Sequence, residues 1–338
     1  MDRRRDSKLS TSLQRRAKLK DNEVAWFDRM LEIREFEKQT NLLFASGAIR
    51  GTTHLCIGQE ALAVGLASVL NPDDVVSATY RGHGISLALG LSSHSALAEI
   101  MGKSTGCAGG LGGSMHLCDR SVGILPTSAI IGGGIPIAVG AALAFQIQKK
   151  SNVAVAVFGD GATNIGAFHE SLNLAAIWNL PVIFVCDNNV YGEYSRINTT
   201  TPIEDLHLRA DSYAMPNMKV DGMDIHAVRD SLELAINRAR SGGGPTLVEA
   251  KTYRFAGHSR ADTAPYRPEG ELAEWEKRDP IKLTREMLIG KGLLTEDTAT
   301  QMVSDMEDFM KSTIESVQQD PEPTTKDMFK NIWTEPEW

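Results

Sequence analysis

The sequence predicts an α/β fold, a mostly parallel sheet with helices on both faces and with helical extensions at the N- and C-termini. Three observations predict it. Apolar runs rich in β-branched residues occupy residues 75–78, 153–158, 182–186 and 246–252, and each stops at small or polar residues. Between them lie stretches whose apolar residues recur every three or four positions, the helical period. The centre of the chain, residues 153–189, reads strand, helix, strand at a length that makes a right-handed crossover unit with parallel strands.

Composition sets the class. A chain of 338 residues buries a full core, and 42% hydrophobic residues with 30 glycines fit a soluble, loop-rich enzyme. A net charge of −8 argues against nucleic acid as a partner. No apolar run reaches the length of a membrane-spanning helix, so no membrane association is expected. Cys56, Cys107, Cys118 and Cys186 lack CxxC or metal-ligand spacing, which leads us to expect reduced thiols in a cytoplasmic protein.

The elements follow in order. Residues 1–21 are basic, with Arg3, Arg4, Arg5, Lys8, Arg15, Arg16, Lys18 and Lys20 against few acids. Such a start is one form of an organelle transit peptide, but the early acids and weak apolar face favour a flexible arm. Trp26, Met30, Ile33, Phe36 and Leu43 then recur at helical spacing and read as core. A loop holding His54 leads into Gln59-Glu60-Ala61 and a small-residue helix through Leu70. After a turn at 71–74 and the strand at 75–78 comes Tyr80-Arg81-Gly82-His83-Gly84. An arginine at a strand end between small residues suits phosphate recognition, although an exposed ion pair is the ordinary alternative.

Residues 102–134 are too glycine-rich for a helix and are expected to form a long ordered loop across the ligand edge. A small-residue helix at 136–148 leads into the central unit. Residues 195–224 are turn-rich, 225–239 form an amphipathic helix, and the strand at 246–252 delivers the segment 253–262. Its loop from Arg254 to Asp262 is polar and is expected to bury little area and to be mobile without a ligand. Residues 270–318 are charged and helical, with Asp279-Pro280 as a helix start. The tail carries Trp333, Pro336 and Trp338.

The central unit carries the chemistry. Its strands end at one sheet edge, where open α/β sheets bind ligands, which brings Asp160 close to Asn189. A carboxylate and an amide oxygen are hard ligands suited to Mg²⁺ or Ca²⁺, and two of them leave room for phosphate and water. Gly161 lets phosphate approach the backbone, and a helix starting at Ala162 favours an anion. A structural turn capped by Asp160 is the plain alternative. No GxGxxG followed by an acidic residue supports NAD, and no GxxxxGK[ST] loop supports a nucleotide enzyme.

Gly159-Asp160-Gly161 followed by Asn188-Asn189 resembles the thiamine-diphosphate (ThDP) motif. The wider stretch 159–192 is similar to the α subunit of the E1 component of 2-oxo acid and acetoin dehydrogenases. The resemblance implies ThDP and Mg²⁺, with Asp160, Asn189 and the main-chain oxygen of Tyr191 as metal ligands. It implies Tyr80, Arg81, Ile131, Gly161, Ala162 and His258 at the cofactor, and His54 and His258 as catalytic residues. It places Ser259 where some members are phosphorylated. This chain departs from the family at Ser128-Ala129, where an Asn-Gly often stands, and that changes the lining expected beside Ile131.

The carboxylate that such chemistry needs beside the aminopyrimidine sits, in this class, on a second α/β domain. The length here allows one, so residues 22–270 are expected to be the diphosphate-binding domain and 271–338 a helical extension with a partner-binding tail. The implied partners are a β subunit in an α₂β₂ heterotetramer and a lipoyl-bearing E2 protein. The implied reaction is decarboxylation of a 2-oxo acid, or cleavage of acetoin, with transfer of the acyl or aldehyde unit to the lipoyl carrier. Gln59 leans toward 2-oxo acids and residues 80–84 toward acetoin. A split transketolase-like enzyme and a non-catalytic assembly subunit of the same fold are the alternatives.

Overall fold

The computed structural model describes residues 14–330 and 332. The elements run α1 (Glu23–Ala45), α2 (Glu60–Val69), β1 (Val75–Ser77), α3 (His83–Leu89), α4 (Ser93–Ile100), α5 (Gly134–Ile147), β2 (Ala154–Gly159), α6 (Gly166–Ile177) and β3 (Val182–Asn188). A small hairpin, β4 (Tyr191–Gly192) and β5 (Ser195–Arg196), precedes α7 (Ile197–Thr200), β6 (Asn217–Asp221), α8 (Ile225–Arg240) and β7 (Thr246–Lys251). The C-terminal segment holds α9 (Glu271–Glu276), α10 (Pro280–Gly290) and α11 (Glu296–Gln318).

Five strands form one sheet in the order β1-β2-β3-β7-β6, and every neighbouring pair is parallel. Both faces are covered, which is why the strands read as unbroken apolar runs. Val155, Val157, Ile183, Val185 and Val248 pack in one core with Ile33, Phe36 and Leu66 of α1 and α2. Their neighbours Ala154, Ala156, Phe158, Val182, Phe184 and Leu247 point the other way, into a second core with Ile135, Phe168 and Leu172 of α5 and α6. A smaller cluster of Phe27, Leu31, Leu288, Ala299 and Met306 joins the C-terminal helices to α1.

Helix limits follow local chemistry. Asn22 caps α1, its side chain accepting from Ala25 N–H. Asp279 caps α10 with Pro280 in the first turn, where the missing N–H costs nothing. Residues 102–134 do form a long loop with one 3₁₀ turn, Arg120–Val122. Its first half is moulded on the buried carboxylate of Glu99. Oε2 accepts from Ala108 and Gly110 N–H at 2.7 and 2.9 Å, and Oε1 from Gly112 and Gly113 N–H at 2.7 and 3.0 Å.

Four expectations are corrected. The helix after Asp160 does not start at Ala162. Asp160–Asn164 is a 3₁₀ turn and α6 begins at Gly166, so a tight turn, not the end of an α-helix, stands at the ligand edge. The turn-rich region contains a fifth strand, β6, missed because only Val220 of its five residues is buried. In the segment 14–21, expected within a flexible arm, Arg16 and Leu19 are buried and hold it to the core, while most of the other residues are exposed. Arg16 is 4% exposed and donates to Asn71 and Val122 carbonyls at 2.7 and 3.2 Å, while Leu19 O accepts from Trp26 Nε1. The loop 254–262 does not bury little area: Arg254 is 1% exposed, and of the other eight residues only Ala261 is exposed. The rest of the basic start, residues 1–13, and Trp333, Pro336 and Trp338 lie outside the described residues.

Candidate functional site

The pairing of Gly159 with Asp187 across β2 and β3 brings the two strand ends level, so Asp160 and Asn189 emerge at one edge. Asp160 is 1% exposed and Asn189 6%. Asp160 Oδ2 and Asn189 Oδ1 are buried, and neither has a hydrogen-bond partner. An unsatisfied buried acceptor costs about 1–3 kcal/mol. Burial, reinforced by the nearby Asp187 carboxylate, pushes the Asp160 carboxyl up to about 7. Two orphaned oxygens in a protein interior fit a hard divalent cation, which satisfies both and holds the carboxylate ionised. Among the described residues no group of three or more His, Cys, Asp or Glu is placed to hold a metal. An aspartate, an asparagine and a main-chain oxygen are a set of a different kind.

The turn from Asn189 to Tyr191 is strained. Val190 has φ +78°, a region that β-branched residues avoid. Asn188 holds it there: its Oδ1 accepts from Val190 N–H at 3.2 Å, and its Nδ2 donates to the buried Glu249 at 2.7 Å. Ile197 N–H adds a bond to Val190 O at 2.8 Å. The first asparagine of the Asn-Asn pair thus shapes the turn that presents the second.

Arg81 and Arg254 provide positive charge on the same cavity. Arg81 donates to the Leu55 and His258 carbonyls at 2.6 and 2.9 Å. Arg254 donates to Glu193 O at 3.1 Å and to the Tyr266 hydroxyl at 2.8 Å. Among the described residues neither is ion-paired to a carboxylate. Burial, with the Arg254 charge adding, pushes the Arg81 guanidinium down to about 10. Two guanidiniums, that of Arg254 buried and that of Arg81 half-buried, with no ion-pair partner among the described residues fit a polyanion.

The His54 loop and the loop after β7 are stitched together. Phe255 N–H donates to Ile57 O at 3.0 Å and Arg260 N–H to Thr53 O at 3.2 Å. Gly58 allows it: it has φ +97°, and a Cβ there would sit 2.4 Å from Tyr253 O. Gly257 is needed as well, since a Cβ would lie 2.1 Å from Asp262 O. The stitching sets His54 5.1 Å from His258 and 4.5 Å from Tyr80, centroid to centroid, with His258 5.8 Å from Tyr80. Burial first, then Arg81, lowers both histidines, His54 to about 3 and His258 to about 4, so both are neutral near pH 7.

A cavity of about 410 Å³ is lined by His54, Tyr80, Arg81, Ile131, Asp160, Gly161, Ala162, Asn189, Tyr191 and His258. Every residue named from the sequence for metal, cofactor or catalysis therefore lines one space, while Ser259 is not among the lining residues. Ile131 stands at its rim, 47% exposed, and Ala129, where the family pattern departs, lines it too. Arg254, Asp187, Glu193 and Met115 also line it and were not singled out. Arg254 was visible beside His258, but an arginine in a polar loop reads as solvated. His83 stands behind the cavity, its Nδ1 2.9 Å from Glu37 and its Nε2 2.8 Å from Ser114. It joins α1 to the glycine-rich loop. All four cysteines are free, and no helix among the described residues is long and apolar enough to cross a membrane.

Residues 28–326 match the family described as dehydrogenase E1 component. The chain is 41% identical to the α subunit of acetoin:2,6-dichlorophenolindophenol oxidoreductase of Bacillus subtilis, over 93% of this chain and 95% of that one. It is 37% identical to the pyruvate dehydrogenase E1 component α subunit of Rhizobium meliloti, over 93% and 90%. It is also 37% identical to the acetoin:2,6-dichlorophenolindophenol oxidoreductase α subunit of Cupriavidus necator, over 93% and 95%. Membership of this family implies thiamine diphosphate as cofactor and a β subunit as partner, and the chain belongs to it: it is a dehydrogenase E1 component of the α-subunit type.

Proposed function

We propose that this chain binds the diphosphate end of ThDP through Mg²⁺ and works with a β subunit, in an α₂β₂ assembly, to transfer an acyl or aldehyde unit to a lipoyl group on an E2 protein. The donor is a 2-oxo acid such as pyruvate, or acetoin. The observation that carries the reading is the pair of orphaned oxygens, Asp160 Oδ2 and Asn189 Oδ1, in one cavity with two arginines that form no ion pair among the described residues.

In this reading Asp160, Asn189 and the Tyr191 main-chain oxygen hold Mg²⁺. Arg81, Tyr80 and His258 hold diphosphate oxygens, with Arg254 as a further cation beside them. Gly161 and Ala162 offer backbone to the phosphates, and main-chain groups near Ile131 meet the aminopyrimidine. Bound ThDP supplies the nucleophile and electron sink that acyl chemistry needs and no side chain provides. His54 and His258, neutral and adjacent, accept or donate a proton at their ring nitrogens as donor and carrier pass. His54 Nδ1 is buried without a partner, which leaves it free for that work. Residues 22–270 form the cofactor-binding domain, 271–338 the extension toward partners, and the complex works in the cytoplasm.

The test is calorimetry on the αβ complex. Asp160→Ala is expected to abolish Mg²⁺-dependent ThDP binding with the fold retained by circular dichroism. Undiminished binding overturns the assignment. Turnover of pyruvate against acetoin, with dye as acceptor, then decides the donor.

A further inference from the structure

The cavity is built by two loops that come from different strands. The loop after β3 carries Asn189 and Tyr191, and the loop after β7 carries Arg254 and His258. One carboxylate outside the cavity touches both. Glu271, the first residue of α9, accepts from Tyr191 Oη at 2.7 Å and from Tyr253 Oη at 3.0 Å, both on Oε2. Its other oxygen is ion-paired with Arg196 at the far end of the β4–β5 hairpin. Arg196 in turn donates to Tyr191 Oη at 2.8 Å and lies over the Tyr191 ring at 5.4 Å.

The two tyrosines are 3% and 0% exposed. Their hydroxyls need a partner, and Glu271 supplies it to both. The rest of the segment works the same way. Trp275 stacks on Tyr253, rings 5.2 Å apart and 11° from parallel. Arg267 donates to the carbonyls of Arg254, Phe255 and Ala256 at 2.6, 3.0 and 2.5 Å. Helix α9 itself has no buried residue, so this segment gains little from packing of its own and is fixed by what it holds.

The geometry points to Glu271 as a positioning residue: through Tyr191 and Tyr253 it sets the spacing between the metal-side loop and the anion-side loop of the cofactor cavity. This rests on the cofactor reading above. Removing the carboxylate takes away the acceptor of the Tyr253 hydroxyl, leaves Tyr191 Oη with Arg196 alone and strips Arg196 of its counter-ion. The spacing of the two loops then loosens to what contacts such as Arg254 to Glu193 O still hold. A charge-assisted hydrogen bond exceeds a neutral one, so the loss appears as weaker cofactor binding.

The experiment uses the full chain in complex with its β subunit. Glu271→Ala is expected to weaken ThDP–Mg²⁺ binding by about tenfold in calorimetry, and Glu271→Gln, which keeps an acceptor for the phenols, by about threefold. The apparent KM for ThDP rises more than kcat falls. Without cofactor, amide exchange in Glu271→Ala accelerates at residues 189–196 and 253–262 while β2 and β3 keep wild-type protection. Should Glu271→Ala not fold, Tyr191→Phe and Tyr253→Phe, each losing one hydroxyl, read the same two quantities. Unchanged affinity and unchanged exchange in both loops overturn the proposal and leave Glu271 an anchor for α9. Asp160→Ala is run beside it. If that variant loses binding while Glu271→Ala does not, the positioning role fails and the cofactor site stands. If Asp160→Ala binds normally, the site assignment itself fails.

Discussion

Asp160 Oδ2 and Asn189 Oδ1, from the ends of adjacent parallel strands, are both buried at the same cavity and both lack a hydrogen-bond partner. A fold that leaves two acceptors unsatisfied has stored a cost that a cation removes. On the proposed Mg²⁺–ThDP reading, stability is linked to metal and cofactor together. With the αβ complex, ThDP plus Mg²⁺ at a hundredfold excess over Kd is expected to add about 2.7 kcal/mol of stability. Scanning calorimetry should show a rise in Tm with both ligands, and none with ThDP in the presence of a chelator. An equal rise in the chelated sample contradicts metal-mediated binding.

Val190 offers a test that needs no ligand. Glycine is ordinarily worse than alanine within a regular element by about 0.5–1 kcal/mol. At φ +78° the order inverts, because alanine keeps a Cβ that the left-handed region disfavours. Val190→Gly is thus expected to be more stable than Val190→Ala by about 1 kcal/mol in urea unfolding. The usual order, alanine above glycine, means the turn relaxes and the strain is absent.

How much of this was legible in the sequence depends on the range of the interaction. Strands β2, β3 and β7 were legible because both faces of the sheet are covered, and burial on both faces leaves an unbroken apolar run. Asp160 and Asn189 were legible because strand ends of a crossover unit share an edge. Strand β6 was not, since an edge strand with Asn217, Lys219 and Asp221 has no apolar signature. Glu249, Glu271 and Glu99 were not either. Each is an acid whose partners lie elsewhere in the chain or in a loop, and from sequence a glutamate reads as solvated. The start of α6 was misplaced because Asp160–Asn164 satisfies a turn as readily as a helix.

Glu99 shows what such an acid does. It fills two pairs of N–H groups, one pair on each oxygen. Glu99→Ala is expected to cost about 3 kcal/mol in denaturant unfolding, with amide exchange accelerated at residues 106–113. Glutamine does not rescue it, because its amide nitrogen would face two N–H donors in place of an acceptor. A Glu99→Gln variant as stable as wild type shows that the carboxylate does not organise this loop.

His258 makes the stability of the fold depend on pH. Burial, then the charges of Arg81 and Arg254, lower its pKa to about 4, with Asp262 opposing. In the unfolded chain a histidine titrates near about 6.5. Between those values the unfolded state holds a proton that the folded state refuses, so the contribution of His258 to stability falls as pH falls from about 6.5 to about 4. His54 acts in the same direction, and the raised pKa of Asp160 acts in the opposite one, so the total pH profile does not isolate His258. A difference does. His258→Gln removes the titration while keeping a polar side chain. Its Tm relative to wild type, without cofactor, should rise steadily as pH is lowered from 7 to 4.5. Above pH 7 the offset should be constant, because both states are then unprotonated. A flat offset across the whole range means the folded histidine titrates like the unfolded one, and that the two arginines do not act on it. That outcome removes the electrostatic basis for a neutral His258 at the anion end of the cavity.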